Sequence, residues 1–188
     1  MKSRFLLLLL VVPSLSAQTY TKWEIGPVFN AIFLNKSLNQ FQPQIGGRLT
    51  LNFSKFLAVD SELTSSIVSQ NAASNYDGGY ALLFLCGAKA TARRKNFALF
   101  AKARPGLISY SGAIKSLINV PPFVITQRIG EFAMDIGGGI EFSAGRRLGF
   151  RYDFGDTIVH QPSLQGAFPL PSHNVNNFQF ETAVAFRF

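Results

Sequence analysis

The chain carries one cysteine, Cys86, so no disulfide can form within it. A protein bound for an oxidising compartment must then draw its stability from something other than cross-links. Charged residues are also scarce: 15% of 188 residues, where soluble globular domains carry about 25%. That shortfall points to a surface only partly covered by water. Long apolar runs are missing beyond the N-terminus. The longest, residues 81–86, is strand-sized, whereas a membrane-spanning helix needs about 20 apolar residues. No segment keeps a 3.6-residue period over three turns, which excludes a helix-built fold. Clustered cations are few as well: Arg93-Arg94-Lys95 is the one dense run, so no nucleic-acid partner is expected.

What is present is apolar and aromatic. Hydrophobic residues make up 47% of the chain, and 19 residues are Phe. At the N-terminus Lys2 and Arg4 precede an unbroken apolar run over residues 5–12, then Pro13 and the small residues Ser14, Ser16 and Ala17. This three-part pattern is that of a secretory signal peptide, assigned to residues 1–17. Residues 18–188 form the mature domain, whose formal charge drops from +8 to +6 once Lys2 and Arg4 are removed.

The mature chain alternates with a period of two, and its alternating segments are separated by Gly, Asn, Ser and Pro. The last segment is the clearest. Phe178, Phe180, Thr182, Val184, Phe186 and Phe188 share one face, and Gln179, Glu181, Ala183, Ala185 and Arg187 the other. Similar segments lie near residues 23–33, 44–53, 57–67, 80–91, 97–104, 131–142 and 147–154, of which 80–91 has the least defined register. Eight strands follow. Short turns are expected near 54–55, 93–96 and 143–146, and long loops near 35–41, 69–78, 111–127 and 156–177. Four long connections at one end and three tight turns at the other describe an eight-stranded antiparallel up-and-down transmembrane β-barrel, with external loops and periplasmic turns.

A soluble lipocalin-like barrel also has eight strands, but it points its apolar side chains inward. The composition of the polar face separates the two. It carries Glu24, Arg48, Asp60, Glu62, Lys102, Arg104, Glu131, Asp135, Glu141, Arg151, Asp153, Glu181 and Arg187, both signs in near balance. Only Asp77 and Asp156 among the acids fall in expected loops. Arg paired with Asp and Glu suits bidentate contacts in a confined space. Glycines on the same face suit a narrow interior. The charges are therefore expected inside, as a salt-bridged network plugging the lumen, with the Phe-rich face toward lipid. A secreted soluble barrel holding a small apolar ligand is the alternative.

With these strands in place, the chain resembles the OmpA/OmpX-like family of eight-stranded outer-membrane β-barrel domains, over residues 23–188. The resemblance is strongest in the final strand, which ends on Phe188 after alternating apolar residues. In that family such an ending is read by the barrel-assembly machinery, so Val184, Phe186 and Phe188 are carried over as an assembly signal. The resemblance implies a bacterial outer-membrane location, a lipid-bilayer environment, and a monomer acting as a structural protein, an adhesin or a minor pore.

Catalytic, cofactor and metal sites are not expected. Some barrels of this kind edit lipid A with a His-x-Ser pair, but neither His160 nor His173 is followed by that serine. A lipid A-modifying enzyme is thus a second alternative. Two histidines without an acid cluster make a poor metal site. Gly137-Gly138-Gly139 lies within a strand pattern with no phosphate-binding Lys, so it is no nucleotide loop. Individual function is expected in the loops. Residues 111–127 and 156–177 are unusually apolar, and Phe123 and Phe168 are their candidate contacts to the barrel mouth, to lipopolysaccharide or to a surface ligand.

Overall fold

The computed structural model describes residues 21–34, 40–69, 79–119, 122–161 and 172–188. The expected signal peptide, residues 1–17, lies outside them. Eight strands run in chain order: β1 (Trp23–Leu34), β2 (Gln40–Asn52), β3 (Leu57–Ser66), β4 (Ala81–Arg93), β5 (Phe97–Asn119), β6 (Pro122–Ala144), β7 (Leu148–Gln161) and β8 (His173–Arg187). Each pairs antiparallel with the next, and β8 pairs back onto β1 to close the barrel. No helix occurs among the described residues.

The register fixes the barrel's shape. Partners can be followed once around, from Trp23 through Leu51, Val59, Ala88, Ala103, Ile136, Asp156 and Phe178. The path returns to β1 at Phe33, ten residues from its start. A ten-residue stagger, at about 3.3 Å per residue and with strands about 4.8 Å apart, tilts the strands by roughly 40°. The corresponding backbone radius is roughly 8 Å, which leaves an interior that side chains alone can fill.

So tight a cylinder crowds its inner surface. A Cβ on the inward-facing Gly26 would overlap the Val184 carbonyl across the β1–β8 seam, and one on Gly137 would overlap the Phe154 carbonyl. Residues without a Cβ are required where neighbouring backbones approach this closely. At the β6–β7 turn Gly145 has φ +83°, in the left-handed region that glycine adopts without strain.

Two expected loops are ladder over their described residues. Residues 111–127 were read as a connection, yet β5 and β6 continue as a paired hairpin to Asn119↔Pro122. The hairpin extends nine residues past Tyr110, the last β5 residue paired to β4. Register shifts between Tyr110 and Ala113 and between Ile114 and Ser116 break the two-residue period there. Bulges of that kind hide a strand from any alternation test. Likewise β7 runs on to Gln161 and β8 begins at His173, with Gln161 paired to His173. Asp156, His160 and His173 therefore lie on strands rather than in the last loop.

Candidate functional site

Alternation places one side chain in two inside the barrel, and the inner set is polar. Glu24, Arg48, Asp60, Glu62, Lys102, Arg104, Glu131, Asp135, Glu141, Arg151, Asp153, Glu181 and Arg187 are all buried, none more than 8% exposed. The outer set is apolar and bare: Ile25, Phe29, Ile45, Leu63, Phe84, Leu99, Leu107, Ile136, Phe154 and Phe178 are each at least 40% exposed. A soluble protein does not leave a continuous wall of this kind in water.

At the waist, Arg104 is the hub. Its Nη1 donates to Glu62 Oε2 at 2.7 Å and to Asp60 Oδ2 at 3.1 Å, and its Nε donates to Asp135 Oδ2 at 2.7 Å. Its Nη2 reaches Glu181 Oε2 at 3.3 Å. One guanidinium thus serves four carboxylates from β3, β6 and β8. Lys102, two residues earlier on the same inward face, contacts Asp135 at 3.1 Å, Asp153 at 2.9 Å and Glu181 at 3.2 Å. Arg48 donates to Glu62 at 2.7 Å and also meets Glu181. Arg151 holds both oxygens of Asp153, from Nε at 2.7 Å and Nη2 at 2.8 Å, while Nη2 and Nη1 reach Asp60 at 3.1 and 3.2 Å.

Toward the tight-turn end the network continues. Lys89 Nζ donates to Glu141 Oε1 at 2.7 Å. Arg187 lies 3.7 Å from Glu141 and 3.5 Å from Glu24, and its Nη1 donates to the Ser143 hydroxyl at 2.7 Å. Arg93 donates to Asn52 at 2.9 Å and sits 3.8 Å from Glu24. The described ion pairs join seven carboxylates to seven cations, so the paired set is balanced. Such pairing is what a dry interior demands, because an unmatched buried charge is far costlier than a paired one. Glu131 also faces inside, on β6 four residues closer to the long-connection end than Asp135.

Three members of this interior escaped the sequence reading. Lys89 and Arg93 lie on β4, whose upper half is apolar on both faces and so hid the register. The descending alternation Leu83, Leu85, Gly87, Lys89, Thr91 carries the missing signal. Phe100 points inward, although phenylalanine was assigned to the lipid side. The Arg151 guanidinium stacks over its ring at 4.1 Å, and Lys89 Nζ lies 5.6 Å from the centroid. Such cation–π contacts let an aromatic fill space inside a charged cluster.

Toward the long-connection end the lumen changes character. Ile32, Leu83, Leu85, Ile108, Tyr110 and Val159 form a buried apolar cluster inside the barrel. The interior is therefore charged at the waist and below, while above it this apolar cluster shares the lumen with buried Gln42, Thr64, Glu131, Gln161 and Gln179.

Other sequence candidates fall as follows. Phe186 and Phe188 face outward on the last strand, 46% and 73% exposed, and Val184 shares that face, half-buried. Phe188 also closes the seam: its N–H donates to the Trp23 carbonyl at 2.9 Å. Phe123 lies on β6, paired with Ile118. Phe168 lies outside the described residues. Cys86 faces the wall and accepts a hydrogen bond from the Ser61 hydroxyl at 3.1 Å. His160 Nδ1 lies 2.8 Å from the Asn174 side-chain oxygen. Among the described residues no group of three metal-ligating side chains occurs.

This architecture has solved counterparts. The chain is similar to Neisserial surface protein A, at TM-score 0.56 and 11% identity, over 91% of this chain and 100% of that one. It is also similar to Ail, the attachment invasion locus protein of Yersinia pestis, at TM-score 0.50 and 10% identity, over 90% and 100% of the two chains. The likeness is one of fold. No family model matches the sequence, and no curated protein matches it.

Proposed function

We propose that this chain is an integral outer-membrane protein of the OmpA/OmpX-like kind, non-enzymatic, with a plugged lumen and an adhesin-like role at the cell surface. One observation carries the reading: the barrel is inside out, with an ion-pair plug within and bare Phe, Leu and Ile without. An apolar band of this sort is stable in hydrocarbon, and closure leaves no unpaired wall edge to lipid. Closure also suits a monomer, because no strand of the wall seeks a partner. Export by a signal peptide and insertion by the barrel-assembly machinery, guided by Val184, Phe186 and Phe188, belong to the same reading.

The β5–β6 hairpin supports the surface role. Beyond Ser111 on β5 and before Phe132 on β6, the ribbon pairs with no described residue of β4 or β7. Strand edges recruit extended chains by backbone hydrogen bonding. Contact with a surface ligand or with lipopolysaccharide is accordingly assigned to this end, including Phe123 and Phe168. The buried apolar and polar side chains that fill the upper lumen argue against a conducting pore.

The test is migration of the membrane fraction in detergent gels, boiled against unboiled. A closed transmembrane barrel resists unboiled detergent and shifts to its true mass on heating. Recovery in the soluble fraction, with no heat-dependent shift, would replace this reading by the ligand-binding soluble barrel.

A further inference from the structure

The turns at the narrow end of the wall carry a charge pattern that the lumen network does not use. Lys22, Lys55, Arg94, Lys95, Arg146 and Arg147 all lie at this end, on the segment before β1 and on the β2–β3, β4–β5 and β6–β7 turns. Lys55 is half-buried, its Nζ 4.9 Å from the Phe56 ring centroid, and the other five are exposed. Of the other cations on described residues, seven belong to the lumen network, and Lys115 and Arg128 lie on the β5–β6 hairpin at the opposite end. Among the described residues no acidic side chain accompanies the six, since Glu24 and Glu141, the nearest, are buried and already paired.

Six cations spread around one rim, with no counter-charge, repel one another until an anionic surface meets them. The rim sits at the foot of the apolar wall. Trp23, Phe53 and Phe97 begin the exposed band there, so the six charges ring the barrel where hydrocarbon gives way to headgroups. Guanidinium and ammonium groups at that depth match phosphate oxygens. We infer that this collar binds anionic phospholipid headgroups of the leaflet at the tight-turn end and gathers them around the barrel. The inference rests on the membrane reading given above, and adds to it a lipid preference for one rim.

The protein holds its own reporter. Trp23 is its one tryptophan, it is 42% exposed on the wall, and it lies one residue from Lys22. The mature barrel is refolded into vesicles of equal phosphatidylcholine and phosphatidylglycerol, with bromine on the acyl chains of one lipid or the other. Enrichment of the anionic lipid makes brominated phosphatidylglycerol quench Trp23 roughly two- to threefold more strongly than brominated phosphatidylcholine at low salt, where each surface cation contributes most. The preference falls toward unity in molar salt and in the variant with all six cations replaced by Gln. Arg146→Gln/Arg147→Gln, a milder change beside the β1–β8 seam, lowers it in part. Equal quenching by both lipids in the native protein overturns the inference, as does a preference that survives the six-fold variant. Binding to peptidoglycan without any lipid preference also overturns it. Gel migration run in parallel reports whether the barrel formed, which separates failure of the collar from failure of the membrane reading.

Discussion

Removing the Arg104 side chain with Arg104→Met gives the sharpest test of how the lumen is held. The substitution keeps most of the volume and takes away one cation that touches Asp60, Glu62, Asp135 and Glu181. The seven ion-paired carboxylates then face six cations in an interior where Arg104 has no exposed surface. Deleting one partner of a buried pair destabilises by about 3–5 kcal/mol, because the charge left behind is buried without compensation. At a urea slope of about 2 kcal/mol per molar, that lowers the unfolding midpoint by roughly 2 M. Midpoints are read from Trp23 fluorescence in vesicles, with gel migration as the check on barrel formation. Adding Asp135→Asn restores the balance and leaves Lys102 its contacts to Asp153 and Glu181. The double variant therefore recovers a large part of the loss, so the two changes are strongly non-additive. Arg104→Lys keeps the charge but loses the fork, and falls between. A loss below about 1 kcal/mol for Arg104→Met, with no recovery on adding Asp135→Asn, would refute the buried-charge account.

Two further outcomes follow from the wall. Ile136 is 49% exposed on β6, midway between Phe132 and Phe142, so Ile136→Arg places a charge near mid-bilayer and destabilises the folded barrel by about 2–4 kcal/mol in vesicle unfolding. Phe142→Arg, at the rim, costs about 0–1 kcal/mol; equal costs at the two depths would contradict the membrane placement. Deleting Phe188 leaves refolding into detergent nearly intact but cuts the heat-modifiable barrel in cells severalfold, as read by immunoblot; an unchanged cellular level would remove the assembly-signal role.

The sequence made the barrel legible where one face differed chemically from the other. Glu181 among Phe178, Phe180 and Phe186 leaves a single possible register, because a one-residue slip would put a carboxylate in lipid and a phenyl ring in the charged core. The same contrast put the charged residues of β1, β2, β3, β5, β6, β7 and β8 on one face. It failed on β4, where Ala81, Leu82, Leu83, Phe84 and Leu85 offer no contrast between faces, and with it went Lys89. It failed again at residues 111–119, where bulges shift the phase. At residues 157–161 the inward Thr157 and Val159 belong to opposite chemical classes, and the eye sees no period. Which carboxylate meets which guanidinium was not readable at all. Those pairings cross the lumen between strands far apart in sequence, such as Arg104 of β5 and Glu181 of β8, and depend on the ten-residue stagger that only closure sets.

This division explains why the plug is ionic at all. A well-packed apolar interior would be as stable or more so, since burying charge is seldom a net gain over burying hydrocarbon. In lipid, though, the hydrophobic effect cannot tell the inside of a barrel from its outside, because both are apolar. A strand that was apolar on both faces could pair in either phase at nearly equal free energy. The waist residues remove that degeneracy: Arg48, Asp60, Arg104, Asp135, Arg151 and Glu181 are tolerable only where they find each other. Once the waist fixes the phase of each strand, the layer above is free to be apolar. Leu83 and Leu85 can then pack against Ile108 and Val159, held in phase by Lys89 four residues down the same inward face of β4. The charged layer supplies the register and the apolar layer the filling, and neither composition alone would specify one barrel.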